Sequence, residues 1–166
     1  MKKRGKGQMN LSFGMIFSII LIVIFLVFAF YAIKAFLKFQ DSSTKGKFLD
    51  DLKSDVDRVW KAAESSQEKT YSLPSKIVSV CFVDFSTSAI GRNAGIYSEL
   101  KKAYYGAENL VLYPVGSSEV ESAQIKNIDL VEMTKDENPF CIESVKGKLK
   151  LTLAKNFNDA LVIVKK

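Results

Sequence analysis

The hydrophobic positions of this chain fall into three successive patterns, of which the first is an unbroken apolar run. From Phe13 to Ile33 the chain carries 21 consecutive residues without a charge, FGMIFSIILIVIFLVFAFYAI. At about 1.5 Å rise per residue these make about 31 Å of helix, which matches a hydrocarbon core of about 30 Å. A buried helix of a soluble protein would carry a polar stripe, and this run carries none. The pattern predicts a transmembrane helix over residues 11–36.

The second pattern is an amphipathic helix, which we predict over residues 37–67. Its apolar residues recur at steps of three and four, as expected for one face of an α-helix: Phe48, Leu49, Leu52, Val56, Val59, Trp60 and Ala63. This stripe must be buried against another surface. Packing on the chain's own domain is favoured over a coiled coil between two copies, because the heptad repeat is not sustained.

The third pattern, over residues 68–166, predicts a small antiparallel β domain. A strand is expected from Ile77 to Phe85, a short helix in AGIYSELKKAYYG, and a hairpin of FCIES with LKLTLAK that turns at Gly147. Further strands are expected in NLVLYPV, AQIKNIDLVEM and ALVIVKK. With mostly short connections, these elements predict an α+β fold in which the sheet packs on the amphipathic helix.

The basic character of the chain belongs to its N-terminal segment. Of 24 basic residues against 18 acidic ones, six lie before residue 39, where there are no acidic residues, so residues 39–166 carry no net charge. This distribution argues against a nucleic-acid partner, which requires a clustered basic face. Four basic residues precede the apolar run, so the positive-inside rule predicts a cytoplasmic N-terminus and an extracytoplasmic domain of residues 39–166.

A cleavable secretory signal is the main alternative to a membrane anchor. Such a signal has an apolar region of about 7–15 residues followed by a small-x-small cleavage site. The apolar run here is longer, and the sequence around its end, Tyr31 to Phe36, contains no such site. The segment is therefore predicted to remain in the lipid bilayer as a single-pass anchor.

The chain contains two cysteines, Cys81 and Cys141, both on predicted strands outside the membrane. Disulfides persist in that environment, so we predict a bond between them, with two separate buried thiols as the alternative. There is no histidine and no C-x-x-C pair, so no metal and no cofactor are predicted.

Catalytic patterns are weak. The spacing S-x-x-K occurs at Ser42, Ser66 and Ser98, each time without the accompanying motifs of serine enzymes that use a lysine base. Asp84 follows a hydrophobic strand and is expected to bond the backbone of a turn. The acidic run at Asp136 falls far short of a calcium loop. We therefore predict a non-enzymatic protein with no catalytic residues.

The N-terminal sequence MKKRGKG–QMNLSFGMIFSIILIV resembles the class III signal peptide of type IV pilin-like proteins, especially archaeal pilins and archaellins. A short basic leader ends in Lys-Gly and the apolar helix follows at once. The resemblance implies cleavage by a prepilin peptidase between Gly7 and Gln8. It also implies a long helix followed by a β domain, as in pilins. Bacterial pilins carry a glutamate where this chain has Ser12, and archaeal members generally lack it.

The resemblance, which covers about the first 40 residues, implies a structural or assembly subunit that self-associates or joins other pilin-like subunits through its apolar helix. Gly14 and Ser18 form a small-xxx-small pair that allows close helix packing. The alternative is a membrane-tethered extracytoplasmic binding domain with a plain signal anchor. Leader cleavage distinguishes the two.

Overall fold

A computed structural model describes residues 13–116 and 121–166 of the chain. It contains one long helix, α1 (Phe13–Lys61), followed by seven strands and two short helices, α2 (Tyr97–Leu100) and α3 (Leu130–Thr134). The chain divides into two units, residues 1–39 and residues 40–166. A long N-terminal helix followed by a small antiparallel sheet is the predicted α+β layout, which is therefore confirmed.

The seven strands form one antiparallel sheet in the order β1-β6-β5-β2-β3-β4, with β7 also paired to β6. The strands are β1 (Ser65–Ser72), β2 (Ser79–Phe82), β3 (Leu110–Tyr113), β4 (Ser122–Ala123), β5 (Phe140–Val145), β6 (Lys148–Lys155) and β7 (Ile163–Lys165). The longest pairing joins β1 to β6 over eight residues of each strand. Strand β1 thus lies at an edge of the sheet, where β6 and β5 separate it from β2, the next strand in the sequence.

The apolar stripe of α1 packs on its own domain, as predicted. Phe48, Leu52 and Val56 from the helix form one buried cluster with Leu151 and Leu153 of β6. In β6, the leucines at alternate positions are buried in this cluster, while Lys148 and Lys150 are exposed and Thr152 is half-buried. Burying a leucine side chain of this kind contributes about 1.5–3 kcal/mol, so this contact is a principal source of the domain's stability.

The β5–β6 hairpin is also confirmed, including its turn. Lys146 and Gly147 both have positive φ, 52° and 71°, as a tight hairpin turn that matches the twist of its strands requires. Gly147 has a second reason to lack a side chain: a Cβ there would lie 2.9 Å from the carbonyl oxygen of Leu73. The turn therefore sets the register of β6 against β5.

Three sequence expectations are wrong or incomplete. Helix α1 ends at Lys61 rather than at residue 67, because residues 65–67 already belong to β1. The strand expected over residues 123–133 is instead the two-residue β4 and helix α3, which Asp129 caps by accepting a hydrogen bond from the backbone N–H of Glu132 at 3.0 Å. The short helix expected after Asn93 is divided into α2 and two flanking 3₁₀ turns, Ala94–Ile96 and Lys101–Ala103.

Candidate functional site

The most distinctive surface of the chain is the N-terminal part of α1, residues 13–39, which we call the apolar segment. Each of these residues is exposed. Its large hydrophobic side chains are between 37% exposed at Leu21 and 84% exposed at Phe13. Among the described residues, α1 is the one helix long and apolar enough to cross a membrane, by length and composition. An apolar surface of this size requires a bilayer or apolar partners to cover it.

Gly14 and Ser18 lie one turn apart within the apolar segment. The Ser18 hydroxyl donates to the backbone carbonyl oxygen of Gly14 at 2.8 Å. This bond satisfies the hydroxyl inside its own helix, so Ser18 is compatible with an apolar environment. The role of this pair in helix packing remains a prediction. The cleavage residues Gly7 and Gln8 lie outside the described residues.

Cys81 and Cys141 are joined by a disulfide, which confirms the predicted bond. They are direct cross-strand partners on β2 and β5, with Cα atoms 4.0 Å apart. Both are buried, and they pack with Val83, Leu100 and Val111 in a small cluster on the face of the sheet opposite α1. A buried disulfide is typical of a domain that matures in an oxidising compartment.

Asp84 has the structural role expected of it. Its Oδ1 accepts hydrogen bonds from the backbone N–H of Ser86 at 2.9 Å and from the Ser86 hydroxyl at 2.6 Å. Asn138, fully buried, donates to the carbonyl oxygen of Asp84 at 2.8 Å and to the Thr87 hydroxyl at 3.0 Å. The bonds of Asn138 connect two loops, and the Asp84 carboxylate stabilises the turn that follows it.

The acidic run at residues 136–138 does not form a metal site in the described structure. Glu137 accepts from the Asn93 amide and from Lys166, each at 2.9 Å, and Asn138 is engaged with the Asp84 loop. Across residues 13–116 and 121–166, no group of three or more metal-binding side chains is present.

A cluster of charged side chains around the buried Asp55 joins α1 to β1, and the sequence pattern does not predict it. Asp55 is 8% exposed and accepts a hydrogen bond from the Tyr71 hydroxyl at 2.9 Å. Its other oxygen lies 3.2 Å from the Lys69 ammonium and also binds Arg58. Lys69, the lysine of one S-x-x-K match, is therefore paired with a carboxylate. Only the proximity of β1 to the helix, which the sequence pattern does not reveal, brings these side chains together.

Burial, and to a smaller extent the negative charge of Asp51, raises the pKa of Tyr71 to about 12. Because the folded state holds this proton more tightly than the unfolded chain, Tyr71 contributes stability that is complete below about pH 10. That contribution is lost as the pH rises towards about 12.

We expect one tyrosine to ionise near pH 12 in an absorbance titration of the folded chain at alkaline pH. Tyr71→Phe should remove that step and reduce the loss of stability above about pH 10. Tyr105→Phe is a matched control, because Tyr105 is 82% exposed. Ionisation of all tyrosines near pH 10 in the folded protein would contradict this assignment.

Comparison with protein-family models, with curated proteins and with solved structures gives no match to this chain. The function must therefore be argued from the apolar segment, the disulfide-bonded domain and the charge distribution.

Proposed function

We propose that this chain is a single-pass membrane protein of type IV pilin-like architecture, a structural or assembly subunit with an extracytoplasmic domain. The observation that carries the proposal is the fully exposed apolar segment, preceded directly by a basic leader that ends in Lys6-Gly7. Its partners are the lipid bilayer, other subunits with similar helices, and a prepilin peptidase that processes the leader.

The charge distribution supports the orientation. Lys2, Lys3, Arg4 and Lys6 precede the apolar segment, whereas the two lysines near its C-terminal end, Lys34 and Lys38, are soon followed by acidic residues, Asp41 and Asp50. This asymmetry favours a cytoplasmic N-terminus. The disulfide agrees with it, because Cys81 and Cys141 follow the apolar segment and disulfides persist outside the cytoplasm.

In this proposal, removal of the basic leader is the step that allows the chain to assemble. Its four basic side chains cannot enter a packed apolar helix assembly, since an unpaired charge there costs several kcal/mol. Removal of residues 1–7 leaves a chain that begins at Gln8, whose apolar segment can pack against copies of itself, with Gly14 and Ser18 allowing close approach.

Intact-mass measurement of the chain expressed in membranes with an active prepilin peptidase tests this proposal. We expect a mature N-terminus at Gln8. Gly7→Val should abolish processing, because a branched side chain does not fit a site that selects a small residue. Gly5→Val is the matched control: it makes the same change within the leader but away from the cleavage bond, and processing should persist.

An unprocessed N-terminus in those membranes would overturn the pilin-like assignment. The chain would then be a membrane-tethered binding domain with a plain signal anchor. Retention of the apolar segment distinguishes this result from secretory cleavage, which would release a chain that begins after residue 33.

A further inference from the structure

Strand β1 is an open edge of the sheet. It pairs with β6 on one side, and among the described residues no backbone hydrogen bond reaches its other side. The pairing with β6 is continuous over eight residues, without a bulge or a proline. Edge strands are protected against further pairing by shortness, bulges, proline or charged side chains. Strand β1 has none of the first three, and its two charged side chains, Glu68 and Lys69, are ion-paired with Lys150 and Asp55.

The direction of the free backbone groups follows from the register. The N–H of Leu73, just after β1, donates to the carbonyl oxygen of Gly147 on the β6 side at 2.9 Å. Because backbone groups alternate in direction along a strand, the N–H and C=O groups of Ser72, Thr70, Glu68 and Ser66 point away from β6. Four residues therefore present unpaired donors and acceptors along one line.

A trough runs beside this edge, between β1 and the flank of α1. Two cavities of about 370 and 290 Å³ share Asp51, Thr70 and Tyr71 as lining residues and so lie end to end. The helix side of the trough is polar, with hydroxyl groups from Ser43, Thr44 and Ser54. A concave surface next to an open strand edge has the form of a site that binds an extended chain.

The charges around the trough favour acidic ligands. Lys47 and Arg58 have side chains that are 79% and 57% exposed, whereas the Asp55 carboxylate is buried and its oxygens are bound by Tyr71, Lys69 and Arg58. Asp51 is the remaining carboxylate, about half exposed and 3.9 Å from Lys47. The residues that line the trough thus include three cations, Lys47, Arg58 and Lys69, against the two carboxylates Asp51 and Asp55, a net charge of +1.

We propose that the trough binds an extended segment of a partner protein, which adds as a strand to β1 and carries more carboxylate than cationic side chains. The unpaired groups of β1 supply main-chain hydrogen bonds, and Lys47 and Arg58 select for carboxylates. This function is additional to membrane anchoring and does not depend on how the leader is processed.

The test uses the full chain in lipid nanodiscs and a fluorescent, end-blocked peptide of eight alternating threonine and glutamate residues. We expect saturable binding, measured by anisotropy, with a Kd below about 1 mM. The same peptide N-methylated at every residue keeps its charges but has no backbone N–H on either edge, so it should not bind. A peptide with lysine in place of glutamate should bind at least about fivefold more weakly at low salt.

Two pairs of variants locate the site. Thr70→Pro removes one outward N–H without breaking a bond to β6, and it should weaken binding about tenfold. Thr70→Val keeps the backbone donor and changes only the side chain, so it should weaken binding much less than Thr70→Pro. Lys47→Gln should weaken binding about two- to fivefold. Lys53→Gln removes a lysine from the opposite flank of α1, beside a different cavity, and should have no effect.

Absence of binding, or equal binding of the N-methylated peptide, would overturn the proposal even if Thr70→Pro did not fold. Tighter binding of the lysine peptide would overturn the assigned charge. If sedimentation showed two copies pairing through β1 in a way that Thr70→Pro abolished, the occupant would be a second copy, and the proposal of a partner segment would be wrong.

Discussion

Replacement of both Cys81 and Cys141 with alanine is expected to lower the free energy of unfolding of the domain of residues 40–166 by about 2–5 kcal/mol. The disulfide joins residues 60 positions apart, and a cross-link over a loop of that length removes much of the freedom of the unfolded chain. Total stabilities of domains are about 5–15 kcal/mol, so the change is a large fraction of the whole.

Fluorescence of the single tryptophan, Trp60, during denaturant unfolding provides the measurement. Its indole N–H donates to the carbonyl oxygen of Ala160 at 3.1 Å, so its environment changes when α1 separates from the sheet. A reductant should destabilise the wild type and leave the double variant unchanged, which makes the variant its own control. An unfolding midpoint that is the same in oxidised and reduced wild type would contradict the expected contribution.

The second prediction with a large expected effect concerns membrane topology. Each engineered cysteine should be either fully accessible to a membrane-impermeant reagent or not accessible at all. A cysteine placed at Ser98, an exposed residue of α2, should react with a membrane-impermeant maleimide on intact cells. In the Gly7→Val chain, which should keep its leader, a cysteine at Lys6 should react after the cells are opened and not before. The native cysteines are bonded to each other and do not interfere. Labelling at Lys6 alone on intact cells would reverse the proposed orientation.

The sequence predicts best those elements whose hydrophobic pattern is unambiguous. The apolar run and the amphipathic stripe predict α1, and alternating Leu149, Leu151 and Leu153 predict β6 and its hairpin. Both cysteines lie on strands that the hydrophobic pattern predicts. Their direct pairing across β2 and β5 depends on the order of the strands in the sheet, which the pattern does not give. These signals are local, which explains why one sequence is enough to find them.

Strand β1 was missed for a physical reason. Its sequence, SSQEKTYS, has one large apolar side chain, Tyr71, and a strand held mainly by β6 needs no hydrophobic alternation of its own. The hydrophobic pattern does not predict helix α3, because the apolar residues of IDLVEM fit both the helical and the strand period. The N-cap at Asp129 favours the helix. The trough and the Asp55 cluster both depend on β1, so neither could be predicted before the strand was known.

The pairing of β1 with β6 has a consequence for the order of events during synthesis. Ser65 pairs with Lys155, ninety residues later in the chain. At about 5–20 residues per second, a ribosome needs roughly 5–18 s to make the chain between them. During that interval the apolar stripe of α1 and both edges of β1 have no partner. The nascent chain therefore has to be shielded from neighbouring chains until β6 has left the ribosome.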